Sequence, residues 1–188
     1  MFIQTEPTPN PATLKFLPGR AVMGEGTFEA RDAVEAGRSP LATALMELPG
    51  VSGVFFANDF ISVTKGGDAE WRDLRPAVLG VVTEFFLSGA PVIEEGGADS
   101  VATGEFFDPK DAETVEAIKE LIETRVRPAV AGDGGDITFK GYRDGVVYLN
   151  MKGACSGCPS STATLRHGIE NLLKHFLPDV QGVEQIAA

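Results

Sequence analysis

Apolar residues recur along this chain in two ways, alternating over short runs and returning every third or fourth position over longer ones, and the switches between the two predict its elements. Residues 2–5 and 13–17 read as strands. Between them Pro7, Pro9 and Pro11 forbid a ladder or a helix, which leaves a hairpin-like pair with a stiff loop. Ser39 then Pro40 form a helix start, the hydroxyl capping and the proline at the first helical position; the helix runs to about Leu48 before Pro49-Gly50 stops it. Strands at 51–56 and 60–64 flank Asn58-Asp59, and Trp71, Leu74, Val78, Val81, Val82 and Phe85 mark a helix from about Ala69 to Leu87. A three- or four-stranded sheet with helices on one face is the economical packing.

After residue 107 the pattern starts afresh. Asp108-Pro109 and Asp111 have the order of a capped helix start with acid in the first turn, where the helix dipole favours it. Val115, Ile118, Leu121, Ile122 and Val126 share a face, and the helix is expected to end near Arg127-Pro128, since a residue before proline is pushed out of the helical region. A short turn at 129–131 leads into Gly132-Asp133-Gly134-Gly135-Asp136. Strands at 137–142 and 146–151 follow, joined by Arg143-Asp144-Gly145, a turn suited to positive φ. A helix from Pro159 turns Ala163, Leu165, Ile169, Leu172, Leu173 and Phe176 inward, and 180–186 reads as a last short strand.

Charge separates the two patterned regions. Basic and acidic residues number 7 and 11 through Ser88, none and 4 over 89–107, and 9 and 12 beyond. The middle stretch combines small, acidic and turn residues without an amphipathic period, so little apolar surface offsets its ordering. The fold expected is α+β: two small α/β-sandwich domains, 1–88 and 108–188, each a short and mostly antiparallel sheet packed with helices, joined by a flexible acidic linker at 89–107. The rival for the linker is a loop packed on one domain through Val101, Phe106 and Phe107. A net charge of −11 argues against nucleic acid and anionic membrane surfaces as partners. No apolar run reaches membrane-spanning length. The first eleven residues resemble neither a secretory signal nor a transit peptide, so a cytoplasmic setting is expected.

The chain holds two cysteines, Cys155 and Cys158, three positions apart between a predicted strand and a predicted helix start. Backbone N–H groups and the helix dipole at such a place favour thiolate, the form that binds soft metals and attacks disulfides. Four chemistries compete. A structural disulfide would close a very small loop and needs an oxidising compartment. A zinc site would recruit His167 and His175, whose spacing does not match the usual finger. A thioredoxin-like dithiol would use Cys155 to attack and Cys158 to resolve, although the pair lies late in the chain, after a hairpin. An iron–sulfur cluster generally needs four cysteines, which two chains related by a two-fold axis would supply. Lys152 and Arg166 are candidates for offsetting an anionic cluster. Asp133 and Asp136 read more simply as parts of a tight turn than as metal ligands.

Arg127-Pro128, Asp133-Gly134-Gly135-Asp136 and Gly153-x-Cys155-x-x-Cys158-Pro159-Ser160-Ser161, followed by a helix and Gly182-Val183, resemble the Nfu-type iron–sulfur cluster scaffold and carrier proteins, related to the C-terminal domain of NifU. Met1-Phe2-Ile3-Gln4-Thr5, Thr8-Pro9-Asn10-Pro11 and Arg38-Ser39-Pro40-Leu41 are similar to that family's separate N-terminal domain. The resemblance implies a carrier without turnover chemistry, in which Cys155 and Cys158 ligate a 4Fe-4S cluster shared between two subunits. It implies delivery to apo iron–sulfur clients, which the N-terminal domain engages, exchange with upstream assembly proteins, and a homodimer when loaded. The family occurs in bacteria and in mitochondria. The expectation is a bacterial cytoplasmic protein, with a trimmed mitochondrial matrix protein as its rival.

Overall fold

A computed structural model describes residues 2–94, 104–157 and 159–186, the last without the side chains of Pro159 and Ser161. The centre of the expected linker, 95–103, and Cys158 lie outside the described residues. The chain divides into two compact units, Met1–Val101 and Ala102–Ala188.

In the first unit, β1 (Gln4–Pro7), β2 (Thr13–Leu17), β3 (Phe28–Ala30), β4 (Val51–Phe56) and β5 (Ile61–Lys65) form one antiparallel sheet in the order β1-β2-β5-β4-β3. The sheet has five strands where three or four were expected. Strand β3 and the single turn α1 (Ala33–Ala36) are too short to carry a period, which is why the hydrophobic pattern did not disclose them. Pro7 pairs with Leu14 despite its missing N–H, because it stands last in a strand at the sheet's edge.

Helix α2 (Pro40–Met46) starts as its sequence foretells: the Ser39 hydroxyl accepts from the Ala42 N–H at 3.1 Å. The same hydroxyl donates to the Val92 carbonyl. Leu41 and Leu45 of α2, with Leu74, Val78 and Val82 of α3 (Trp71–Ser88), pack with the alternate strand residues Phe16, Val54, Phe56, Ile61 and Val63. That alternation is the period-two face the sequence displayed.

The second unit opens with a 3-10 turn, Pro109–Asp111, whose Asp108 side chain accepts from the Lys110 N–H at 3.1 Å. Helix α4 (Ala112–Leu121) then passes through a π turn, Ile122–Val126, into α5 (Arg127–Gly132). The helical rod thus continues past the expected stop at Arg127-Pro128. Two features permit it. Pro128 stands at the start of the renewed α-helix, where its absent N–H is not missed. Ile118, Ile122, Val126 and Val130 repeat every four residues, a spacing that drifts about 40° per step on an α-helix of 3.6 residues per turn. The wider π turn brings this row back onto one face, and all four residues are buried.

Strands β6 (Gly135–Arg143) and β7 (Val146–Gly153) pair antiparallel, and β8 (Gly182–Gln185) lies parallel to β7, giving the order β6-β7-β8. The turn between β6 and β7 has positive φ at Asp144 and Gly145, as its sequence requires. Helix α6 (Pro159–Phe176) lays Ile169 and Leu173 into the core beside Ile137 and Leu149.

The described ends of the expected linker are packed. The Glu94 N–H donates to the Arg38 carbonyl at 3.3 Å. On the other side the Phe106 N–H donates to the Lys140 carbonyl at 3.1 Å, and its own carbonyl accepts from the Tyr142 N–H at 2.9 Å. This one-residue bridge sits at a bulge in β6, where Gly141 has no side chain to obstruct the Phe106 ring. Phe106 therefore follows the packed-loop reading of this stretch, whereas Phe107 is exposed and Val101 lies outside the described residues.

Candidate functional site

The sequence around Cys155 folds as a strand end, a tight loop and a helix start. β7 finishes at Gly153 with φ of 68°, and Gly157 has φ of 98° with open space around it, so both glycines serve the turn itself. The Ser156 N–H and hydroxyl both donate to the Gly153 carbonyl, at 3.0 and 2.9 Å. The Thr162 hydroxyl in the first turns of α6 donates to the Cys155 carbonyl at 2.9 Å, tying helix to loop.

Beneath this loop lies the beginning of β6. The Ala154 N–H donates to the Gly134 carbonyl at 3.2 Å. Gly135 pairs with Gly153 across the ladder. A Cβ at Gly135 would stand 2.6 Å from the Lys152 carbonyl oxygen and 2.9 Å from Cys155 Sγ. Gly134 and Gly135 thus differ in what they require. Gly134 needs glycine for its φ of 83°, and Gly135 needs it for space, because the sulfur rests against its backbone.

Cys155 is buried and packs with the apolar core. Burial, then the negative charges of Asp133 and Asp136, push its thiol up to about 12. The expectation that backbone dipoles would favour thiolate is therefore overturned for the chain without bound metal. Desolvation and two carboxylates outweigh the loop's N–H groups. A metal ion bound at such a thiol would displace the proton and offset the charge.

One partner of Asp136 was not anticipated from the sequence. Its buried carboxylate accepts from Arg127 Nε at 2.9 Å and Nη2 at 3.0 Å, a bidentate pair, and also from its own neighbour's N–H at Ile137. Arg127 reaches Glu123 as well, through Nη1 at 2.8 Å. The hydrogen bonds it donates to Asp136 raise the guanidinium above its ordinary range, so it stays charged. Lys152 stands directly opposite Asp136 in the β6–β7 register, which brings one of the two expected cations to this end of the sheet. The other, Arg166, is exposed on α6. His167 and His175 are exposed on the same helix, and His175 sets its ring edge-on to Phe176. Among the described residues no group of three or more His, Cys, Asp or Glu is placed to hold a metal. The second expected ligand, Cys158, lies outside the described residues.

Comparison with known proteins bears on these motifs. Residues 3–89 match the family model described as scaffold protein Nfu/NifU N terminal, and residues 118–184 match the NifU-like domain. The chain is 50% identical over 187 residues to a Drosophila sechellia protein named an NFU1 iron-sulfur cluster scaffold homolog, mitochondrial, and 49% identical to its Drosophila erecta counterpart. In both cases 99% of this chain is covered, and the chain spans 65% of the relative's length. It is also similar to the solution structure of a NifU-like protein from Saccharomyces cerevisiae, at 25% identity and a TM-score of 0.46, over 50% of this chain and 86% of that one. The two Drosophila relatives are named as scaffolds, and no helix among the described residues is long and apolar enough to cross a membrane. Two domain models matched in order, with half of all residues shared with such relatives along nearly the whole chain, establish that the chain belongs to the Nfu-type family.

Proposed function

We propose that this protein is an iron–sulfur cluster carrier that binds a 4Fe-4S cluster between two copies of itself, through Cys155 and Cys158 of each, and passes it to apo-proteins. The cluster is cargo. The observation that carries this reading is the half set of ligands: a chain with two cysteines, one of them buried in a glycine-flanked turn against Gly135, in a fold whose relatives are named cluster scaffolds. Cubane clusters take four cysteine ligands, and an isologous dimer supplies four from two chains. A site divided between subunits opens when they part, which suits release. Transfer then proceeds by ligand exchange, a client thiolate replacing Cys155 or Cys158 on iron.

We assign cluster binding to residues 108–188, client recognition to 1–88, and the span between them to 89–107. Upstream assembly proteins that load the site complete the set of partners. The mitochondrial naming of the relatives favours the second of the two compartments expected from the sequence. The dithiol oxidoreductase reading is disfavoured by the relatives, which are named cluster scaffolds.

Anaerobic reconstitution with iron and sulfide tests the proposal. The expected product is a brown protein with about four irons per two chains, lost in Cys155→Ala and in Cys158→Ala. A colourless protein that reduces disulfides after the same treatment would overturn it.

A further inference from the structure

The pair formed by half-buried Arg127 and buried Asp136 is unused by the ligand set just described, yet it sits at the floor of the loop that carries Cys155. Three contacts connect it to the sulfur. Asp136 is the second residue of β6, directly after Gly135, whose backbone the sulfur touches. Gly134, one residue earlier, accepts the Ala154 N–H. Arg127 clamps the Asp136 carboxylate with two parallel hydrogen bonds, so the start of α5 and the start of β6 are fixed to each other across the Gly134-Gly135 peptide. The pair is also electrostatically necessary at this place. An unpaired carboxylate near a thiolate-bound anionic cluster would repel it, and a buried charge without its partner is costly on its own account.

We propose that Arg127 is a positioning residue for the cluster: its bidentate hold on Asp136 fixes the Gly134-Gly135 floor under Cys155 and sets a positive charge beside that carboxylate. This inference rests on the carrier reading above. Lysine cannot reproduce the planar fork, so Arg127→Lys retains the charge and loses the clamp. Arg127→Gln loses both and leaves the carboxylate without the guanidinium. Adding Asp136→Asn to Arg127→Gln removes that carboxylate again.

The test uses the full chain, reconstituted anaerobically with iron and sulfide, and reads three quantities for the parent and each variant. These are the half-life of the cluster's visible absorbance against an iron chelator, the cluster's reduction potential, and the thermal midpoint of the metal-free protein. Loss of a residue that orients metal ligands typically costs about tenfold or more in metal retention. Arg127→Gln is expected to shorten the half-life about tenfold and to move the potential to a more negative value, because an added negative charge favours the oxidised cluster. Arg127→Lys is expected to fall between parent and Arg127→Gln in half-life with the potential little changed. The double variant should return the potential towards the parent. Potentials that stay equal across folded variants, or half-lives that follow the thermal midpoints alone, would overturn the positioning role. A parent that takes up no cluster would instead overturn the carrier reading, and this inference with it.

Discussion

Gly135→Ala isolates the contact between β6 and the Cys155 loop. The added methyl would lie 2.6 Å from the Lys152 carbonyl oxygen and 2.9 Å from Cys155 Sγ, both inside van der Waals contact. The first neighbour is backbone. Lys152 is held in the ladder opposite Asp136, so it gives way only if the β6–β7 pairing opens at its end. Overpacking of this kind costs about 1–3 kcal/mol. With a urea m-value of about 2 kcal/mol/M, the middle of that range moves the unfolding midpoint by about 1 M. The chain carries its own reporters, since its single Trp is Trp71 in the first unit and its two Tyr, Tyr142 and Tyr148, are in the second. Urea titration followed by tyrosine near-ultraviolet dichroism should show the shift, while the tryptophan transition stays in place. Reconstituted Gly135→Ala should also hold less cluster, because the sulfur is displaced from its seat. Gly132→Ala is the control: beyond its own helix and chain neighbours no heavy atom lies within 4 Å of the new methyl, and alanine is favoured over glycine in a helix by up to about 1 kcal/mol. A tyrosine midpoint in Gly135→Ala equal to that of the parent would refute the close-approach argument.

Ser39→Ala removes the cap of α2 and the bond to the Val92 carbonyl, and should lower the tryptophan-reported transition by about 1–2 kcal/mol without moving the tyrosine one. Phe106→Ala strips the ring that lies 5.2 Å from Tyr148 and covers Gly141; as the ring is half-buried, a loss of about 1–3 kcal/mol is expected, read from the tyrosine signal. In metal-free protein carrying Cys158→Ala, alkylation of Cys155 by iodoacetamide should be slow at neutral pH and should rise about tenfold per pH unit well past pH 9, because a thiol pushed up to about 12 is protonated below it. Mass spectrometry of the labelled peptide follows the rate, and a plateau reached near pH 8 would contradict the burial argument.

The elements that could be read from sequence are those whose signals are local. Ser39-Pro40 announces a helix start through two residues, Asp144-Gly145 announces a turn through the φ it needs, and β4 shows its bounds through β-branched and aromatic residues between Gly50 and Asn58. The continuation of the helix through Pro128 was hidden because the prolyl restriction is a local rule, while the π turn that accommodates it answers to a row of core residues in contact with the sheet. At the site, the cysteine spacing pointed to the chemistry and the glycines to the turn. The upward push on the Cys155 thiol is not legible in the sequence, since it depends on burial and on Asp133 and Asp136, which only folding brings near the sulfur. Arg127 and Asp136 are nine residues apart with a helix end and three glycines between them, and no spacing rule joins them. Gly135 looks like any turn glycine until the sulfur is seen resting on it.

The central claim is that each chain supplies half of a cluster site. Native mass spectrometry of the anaerobically reconstituted protein, sprayed with its cluster intact, tests it most directly. The account predicts a principal species of two chains carrying one four-iron cluster, which collapses to metal-free single chains when either Cys155→Ala or Cys158→Ala is reconstituted in its place. A single chain carrying a complete cluster, or a metal-bearing species that survives loss of Cys155, would contradict it.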